Sequence, residues 1–178
     1  MRTAKIRQVK KEIRVLGIAV KPSRGRDVLH AVGVVFRGKL WLDGAMRTTA
    51  RGPDLTESLV EMITRSPHHP QIRVILLHDS LMEGGASIDP YRLSTGTSRP
   101  VLLLSAEETW PEAPEGAAAE RFRLRRAGDS VAVLSIGLGG RVAARVLEVS
   151  TREGAVPEAL RVAGLVAEAV ASGLRQNV

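Results

Sequence analysis

The sequence predicts an α/β fold in which a mixed β-sheet is flanked by helices. Short apolar runs rich in β-branched residues, typical of buried strands, are separated by segments with helical spacing of apolar residues. The chain has 178 residues, the size of one domain, which we expect to span 1–178. Because 44% of the residues are hydrophobic and only 3% are aromatic, the core should be aliphatic.

Three strands open the predicted sheet. Residues 13–20 form a nearly continuous apolar run, which predicts a strand buried on both faces near the centre of the sheet. After a turn at 21–27, residues 29–36 form a second run and residues 40–49 return beside it. The glycine at position 38 suits a turn with positive φ, so this pair should be antiparallel.

Helices and strands alternate in the middle of the chain. Asp54 is expected to cap a helix at 55–65, with Glu57 three residues further on as in a capping box. Residues 72–77 predict another buried strand, followed by a polar, glycine-rich corner at 78–87. Parallel sheets place their functional sites at corners of this kind.

The second half of the chain predicts a further hairpin and two helices. Residues 107–118 are rich in Pro, Glu and Ala, which predicts a mobile loop or insertion. The other predicted elements are a helix at 88–95, a strand at 101–104, an edge strand at 122–126 that pairs with 131–136 across Gly128-Asp129, and helices at 139–150 and 157–174.

The charge of the chain suggests an anionic partner. The formal net charge is +7, mostly from arginine, whose planar guanidinium suits phosphate and carboxylate oxygens. Nucleic acid is therefore a reasonable partner, although base composition of the genome or thermal adaptation would also enrich arginine. The absence of cysteine excludes a disulfide framework and any thiolate metal cluster.

The sequence favours a cytoplasmic protein without membrane contact. Residues 1–11 form a basic N-terminal extension, and no apolar segment of a secretory signal follows it. No apolar stretch approaches the ~20 residues of a membrane-spanning helix.

Three segments carry a resemblance to a known family. They are LGIAV with VGVVFRGKLWLDG (16–20 and 32–44), RVILLHDSLMEGGASID (73–89) and EVSTREGAVPEALRVAGLVA (148–167). Together they resemble the endonuclease-dU-like proteins, an archaeal family related to endonuclease V with a ribonuclease-H-like fold. The resemblance runs from about residue 11 to residue 174, and its most specific part is the T-x-x-G-x-V-P-E-x-L-R-x-A pattern at 151–163.

The resemblance implies a metal-dependent endonuclease that acts on uracil-containing or deaminated DNA. In such an enzyme Mg²⁺ would be held by carboxylates at the ends of the first and fourth strands. Where the family has Gly-Ile-Asp-Asp, this chain has Gly17-Ile18-Ala19-Val20, and aliphatic side chains cannot bind a cation. We therefore expect an impaired metal site.

The other acidic positions of the family are only partly retained. His78 stands where the family has an aspartate after the fourth strand, and Asp79 is displaced by one position. Asp89 and Asp43 match family acidic positions, Asp43 on the third strand. If the protein is active, Asp79 and Asp89 are the candidate catalytic residues, and the candidate ligands of Mg²⁺ or Mn²⁺ are His78, Asp79, Asp89 and Asp43.

Two interpretations of the polar corner remain open. His78, Asp79, Glu83 and Asp89 could form a rebuilt site for a softer ion such as Mn²⁺ or Zn²⁺. Alternatively, the corner is polar because it is a solvated loop after a buried strand, and no cofactor is bound.

Four arginines are candidates for nucleic-acid binding. On a strand, Arg121, Arg123 and Arg125 would share one face and could meet successive phosphates, with Arg126 on the other face. A solvated edge strand that resists aggregation would have the same pattern.

Weaker signals have a structural explanation. The His68-His69 pair lies between prolines and could be a metal pair or a polar turn. Residues 137–140 (GLGG) precede a helix and could bind a phosphate or allow close packing of helix on strand.

Three functions compete at this point. The leading hypothesis is a degenerate family member that binds nucleic acid, DNA more than RNA, or a repair partner with lost or weakened cleavage. The second is an active metal-dependent endonuclease on uracil- or inosine-containing DNA. The third is a protein-interaction subunit, as a homodimer or with another protein.

Overall fold

A seven-stranded mixed sheet forms the centre of the structure, a computed structural model that describes residues 6, 8–25 and 27–173. The strand order is β3-β2-β1-β4-β5-β7-β6. Most of the predicted basic extension at 1–11 and the predicted helix end at 174 lie outside the described residues. The strands are β1 (Arg14–Pro22), β2 (Leu29–Arg37), β3 (Trp41–Ala50), β4 (Val74–His78), β5 (Val101–Ser105), β6 (Ala119–Arg126) and β7 (Asp129–Ile136).

The sheet has parallel strands at its centre and antiparallel strands on both sides of them. β1, β4 and β5 are parallel to one another, whereas β1–β2, β2–β3, β5–β7 and β6–β7 are antiparallel. β1 therefore lies inside the sheet, next to the central strand β4, as its apolar character predicts. The predicted mixed sheet and its opening antiparallel hairpin are both present.

Four helices cover the sheet. They are α1 (Thr56–Arg65), α2 (Pro90–Thr97), α3 (Gly140–Ser150) and α4 (Glu158–Gly173). In the described part of the chain, no helix has the length and hydropathy needed to cross a membrane. Residues 106–118 contain no regular secondary structure, in line with the loop predicted at 107–118.

The core has two layers, one on each face of the sheet. One layer joins the sheet to α3 and α4 through small residues such as Ala159, Ala163 and Ala167, and the other joins it to α1 and α2 through residues such as Leu59 and Leu93. The strands alternate between the layers because successive side chains point to opposite faces.

α4 packs very closely on β1. A Cβ atom added to Gly17 would lie 2.4 Å from the carbonyl carbon of Ala159, so only glycine fits at this position. The close approach brings the C-terminal half of α4 over the end of β1, where the functional site is expected.

Several local details differ from the sequence-based predictions, among them α2, which begins at Pro90 and not at residue 88. β1 continues through Lys21 to Pro22 instead of ending at Val20. The turn between β6 and β7 is Ala127-Gly128, both with positive φ, rather than Gly128-Asp129, because Asp129 already pairs in β7. No capping box forms at α1, since Glu57 binds Arg92 instead.

Candidate functional site

β1 and β4 run parallel and end at the same edge of the sheet. The last paired residues of the two strands are Gly17 and Leu76, so two residues further on Ala19 lies beside His78. The turn after β4 folds back onto β1, because the Glu83 amide donates to the carbonyl of Val20 over 3.2 Å. We call this region the β1–β4 corner; it consists of residues 19–21 and 78–83.

The two positions where the family has aspartates are fully buried and apolar. Ala19 belongs to the core layer beneath α3 and α4, and Val20 belongs to the opposite layer beneath α1 and α2. Both side chains are 0% exposed. Neither can donate an electron pair to a cation, so the innermost part of the corner has no metal ligand from β1.

Lys21 places a positive charge in the corner. It follows Ala19 by two residues and so faces α4 as well. Its ammonium group is paired with the carboxylate of Glu83, in the turn after β4, and with that of Glu168, on α4, at 3.2 Å. The Lys21 side chain is only 18% exposed. These hydrogen bonds, the one with Glu83 most of all, raise the pKa of Lys21 above its usual value.

His78 is neutral near pH 7. Its side chain is largely buried, and burial lowers its pKa despite the opposing effect of Asp79. The Nδ1 atom accepts a hydrogen bond from the Ser80 amide at 3.2 Å and lies 2.9 Å from the Ser80 hydroxyl. The ring therefore caps the short 3₁₀ turn that follows β4.

Asp79 begins the 3₁₀ turn after β4, and its carboxylate accepts hydrogen bonds from neighbouring residues. Its Oδ2 accepts a hydrogen bond from the buried Ser105 hydroxyl at 2.5 Å, and its Oδ1 accepts one from the Ser80 amide at 2.7 Å. Asp79 Oδ1 and Ser80 Oγ both approach the same nitrogen of His78. These three residues cannot form a catalytic triad, which needs one partner on each ring nitrogen.

Asp89 acts as the N-terminal cap of α2. Its Oδ1 accepts hydrogen bonds from the amides of Tyr91 at 2.9 Å and Arg92 at 3.1 Å. Its own amide donates to the Thr56 hydroxyl at 3.0 Å. A short acidic residue at this position satisfies helix amides, which explains its presence without a metal.

Asp43 lies at the opposite end of β1 from the corner. It is the extra residue of a bulge between β2 and β3, and its carboxylate pairs with Arg14 at 2.7 Å and Arg37 at 3.3 Å. Arg14 is the first residue of β1, whereas the corner begins near its end. The structure therefore does not bring Asp43 together with His78 or Asp79.

The predicted metal ligands do not form a common site. Within residues 6, 8–25 and 27–173, no group of three or more His, Asp or Glu side chains is arranged to hold a metal ion. The carboxylates are also engaged in other interactions, because Glu83 pairs with Lys21 and Asp89 caps α2. The residues of the β1–β4 corner thus do not fit the Mg²⁺ or Mn²⁺ that the family resemblance implies.

The four predicted nucleic-acid-binding arginines lie on β6, an edge strand as expected. Arg121, Arg123 and Arg125 are exposed and alternate with partly buried residues, so they share one face. Arg123 pairs with Glu108 at 2.7 Å, and Arg126 donates to the Glu148 carbonyl at 3.1 Å. Two of the four arginines are therefore engaged with protein oxygens.

The weaker candidates have structural roles. The His68 ring lies over Gly44, where a Cβ would be 2.2 Å from Nε2, and His69 Nε2 donates to the Thr97 carbonyl at 2.8 Å. At the start of α3, the Gly140 amide donates to the Glu120 carboxylate at 2.6 Å. A carboxylate of the protein thus occupies the helix end that could have received a phosphate.

Sequence reasoning did not identify Lys21 and Glu168 as part of the site. Lys21 was assigned to a turn, although its distance of two residues from Ala19 is the signal that it would share that residue's face if the strand continued. The contribution of Glu168 depends on where α4 crosses β1, which no local pattern reveals.

Sequence comparison finds close relatives over nearly the whole chain. The profile of the family described as Endonuclease dU matches residues 11–122. A UPF0215 protein of Methanothermobacter thermautotrophicus is 36% identical, covering 97% of this chain and 95% of the relative. A UPF0215 protein of Methanopyrus kandleri is 34% identical, covering 95% of this chain and 96% of the relative.

Solved structures share the architecture. A protein of unknown function from Archaeoglobus fulgidus is 25% identical with a TM-score of 0.69, covering 88% of this chain and 97% of that one. Human ENDOV is 16% identical with a TM-score of 0.67, covering 91% and 85%. Endonuclease V of Ciona intestinalis, in complex with inosine-containing DNA, is 12% identical with a TM-score of 0.64, covering 90% and 86%. The predicted ribonuclease-H-like, endonuclease-V-like fold is confirmed.

Proposed function

The chain belongs to the Endonuclease dU family, and from this premise we propose that it binds nucleic acid, DNA in preference to RNA, without metal-dependent cleavage. The observation that carries the proposal is the ammonium group of Lys21, paired with Glu83 and Glu168 beside the aliphatic Ala19 and Val20. An ammonium group thus lies next to the two positions where the family resemblance implies metal-binding carboxylates and this chain has aliphatic residues.

The supply of oxygen ligands explains why the corner disfavours a divalent ion. Mg²⁺ needs several oxygen ligands and gives up its hydration shell reluctantly. Glu83 and Glu168, which could supply oxygens, are both paired with the ammonium of Lys21, and the buried Ala19 and Val20 supply none. The raised pKa of Lys21 keeps this charge in place throughout the neutral range.

Charge and family membership support nucleic acid as the partner. The chain has a net charge of +7, which attracts polyanions at a distance. A structural neighbour, endonuclease V of Ciona intestinalis, is in complex with DNA that contains an inosine. Uracil- and inosine-containing DNA are therefore the first substrates to test.

Cleavage and binding should be measured on the same oligonucleotides. Purified protein is incubated with uracil- and inosine-containing strands in the presence of Mg²⁺ or Mn²⁺, with an active endonuclease V as positive control. Binding to the same strands is then measured against salt concentration. We expect no cleavage above the level without metal, and an affinity that falls steeply as salt rises.

Two results would overturn the proposal. Metal-dependent cleavage that is lost in Asp79→Asn would establish an active enzyme and make Asp79 a catalytic residue. Binding that is absent, or that does not change with salt, would exclude phosphate contacts and favour a protein-interaction subunit.

A further inference from the structure

A groove opens at the end of β1 that is remote from the β1–β4 corner. It has a volume of about 600 Å³, and the segment before β1, the β2–β3 turn, the tip of β6 and one side of α3 form its walls. A second cleft of about 610 Å³ between β6 and α3 continues it, because both are lined by Arg126, Arg145 and Glu148. We call the two clefts together the Trp41 groove.

The walls of the groove are strongly basic. Lysine and arginine outnumber glutamate by more than two to one along it. The carboxylate of Glu148 pairs with Arg145 at 2.7 Å, and its backbone carbonyl accepts a hydrogen bond from the Arg126 guanidinium at 3.1 Å. Together with Lys39, these arginines hold the pKa of Glu148 below its usual value, with the Arg145 hydrogen bond as the largest cause. The positive charge here exceeds what the neighbouring carboxylates neutralise.

An exposed aromatic side chain lies at the mouth of the groove. Trp41 is 58% exposed, and its neighbours Leu40 and Leu42 are similarly exposed. Trp41 is the first residue of β3, an edge strand, and pairs with Arg37. Its exposure makes the ring accessible to a ligand, and burying it would stabilise a complex.

We propose that the Trp41 groove binds single-stranded nucleic acid, with an unpaired base stacked on Trp41 and the sugar-phosphate backbone along Lys39, Arg126 and Arg145. An aromatic platform beside a basic channel is the combination that holds single strands without sequence preference. A paired duplex offers no free base face for stacking, so it binds more weakly. This proposal rests on the proposed function and adds the location of the bound strand.

The Trp41 groove lies apart from the β1–β4 corner, where the family resemblance implies a catalytic site. Ala19 is the sixth residue of β1, so it lies about 17 Å along the strand from Arg14, at the end next to the groove. A strand held at Lys39 and Trp41 therefore lies far from Ala19 and His78. The strand can be bound firmly without reaching the corner, in keeping with a protein that binds without cutting.

The location of the bound strand is tested by substituting exposed basic side chains inside and outside the groove. Binding of a fluorescein-labelled oligothymidylate is measured by anisotropy for the wild type, Trp41→Ala, Lys39→Gln, Arg51→Gln and Arg121→Gln. Arg51→Gln is the matched control, because Arg51 is exposed like Lys39 but follows the end of β3 that is opposite Trp41, whereas Arg121→Gln reports on the alternative location along β6. We expect Trp41→Ala to weaken binding roughly tenfold and Lys39→Gln to reduce the salt slope by about one, while Arg51→Gln binds like the wild type.

Tryptophan fluorescence supplies a direct readout of stacking. The chain has two tryptophans, and Trp110→Phe leaves Trp41 as the only indole. We expect the emission of this variant to be quenched by the oligothymidylate, and a duplex of the same length to quench it less.

Several outcomes would overturn the location. If oligothymidylate binds but Arg121→Gln weakens it and Trp41→Ala does not, the strand lies along β6 and the proposed function stands. If duplex and single strand bind alike without quenching Trp41, stacking is excluded. If no oligonucleotide binds the wild type, both the groove and the proposed function fail.

Discussion

Lys21 lies two residues beyond Ala19 on β1, so both side chains face α4. Lys21 connects three parts of the structure, because it lies on β1 and pairs with Glu83 in the turn after β4 and with Glu168 on α4. Its position on a buried strand, rather than in the turn predicted from sequence, gives its charge structural importance. Ala19 alone signals a lost metal ligand, but only the structure shows that a cation of the protein occupies the neighbourhood.

Removing the charge of Lys21 should make the corner receptive to metal. In Lys21→Met the carboxylates of Glu83 and Glu168 lose their ion pairs with Lys21, and since both are substantially exposed the loss of stability should be no more than about 1 kcal/mol. We expect Mn²⁺ to raise the free energy of unfolding of Lys21→Met, measured in urea, but not that of the wild type or of the charge-conserving control Lys21→Arg. Equal stabilisation of all three by Mn²⁺ would contradict this.

His30 should make stability depend on pH. It is buried in β2, and burial, with a smaller contribution from Arg47, lowers its pKa below 6.5. As pH falls, His30 is therefore protonated in the unfolded chain at a higher pH than in the folded protein. The free energy of unfolding should then decrease below about pH 6.5, by at most ~1.4 kcal/mol per pH unit.

The variant His30→Leu tests this contribution. We expect its stability, measured by urea denaturation at pH 7 and pH 5.5, to fall less on acidification than that of the wild type. The pKa of His78 is lowered in the same direction, so a smaller dependence should remain. An unchanged difference between the two pH values would show that His30 does not contribute.

At the scale of elements, the sequence predicts strands and helices correctly where the formation of the element depends on the pattern of its own residues. The apolar runs of β1, β2 and β4 follow from burial. The helix predicted at 88–95 is present as α2, but it begins two residues later, at Pro90, because Asp89 caps it. Boundaries that depend on neighbours were missed: β1 extends past Val20 because β2 continues to pair with it as far as Pro22. The capping box at α1 is replaced because Arg92, from another helix, binds Glu57.

The capping of α2 distinguishes a structural role of Asp89 from a catalytic one. Asp89→Ala removes the acceptor of two helix amides and should cost about 1 kcal/mol of stability, whereas Asp89→Asn keeps an acceptor and should cost much less. The measurement is the free energy of unfolding in urea for both variants and the wild type. A large equal loss in both would show that the negative charge itself is required.

At the scale of the whole molecule, the mixed sheet with flanking helices was predictable because the apolar strands must bury both faces against helices. The functional sites were not, because they arise where distant segments meet. Asp43 and Asp79 are both acidic residues near strands, yet the structure puts them at opposite ends of β1. The basic groove likewise joins the β2–β3 turn to α3, segments about a hundred residues apart in sequence.

The most direct test is a crystal of the wild-type protein soaked in Mn²⁺, with anomalous scattering used to locate the ion. We expect no ordered ion at the β1–β4 corner, and Lys21 still paired with Glu83 and Glu168. A well-ordered Mn²⁺ beside Ala19, held by His78, Asp79 or Glu83, would contradict the loss of the metal site and restore the enzyme hypothesis.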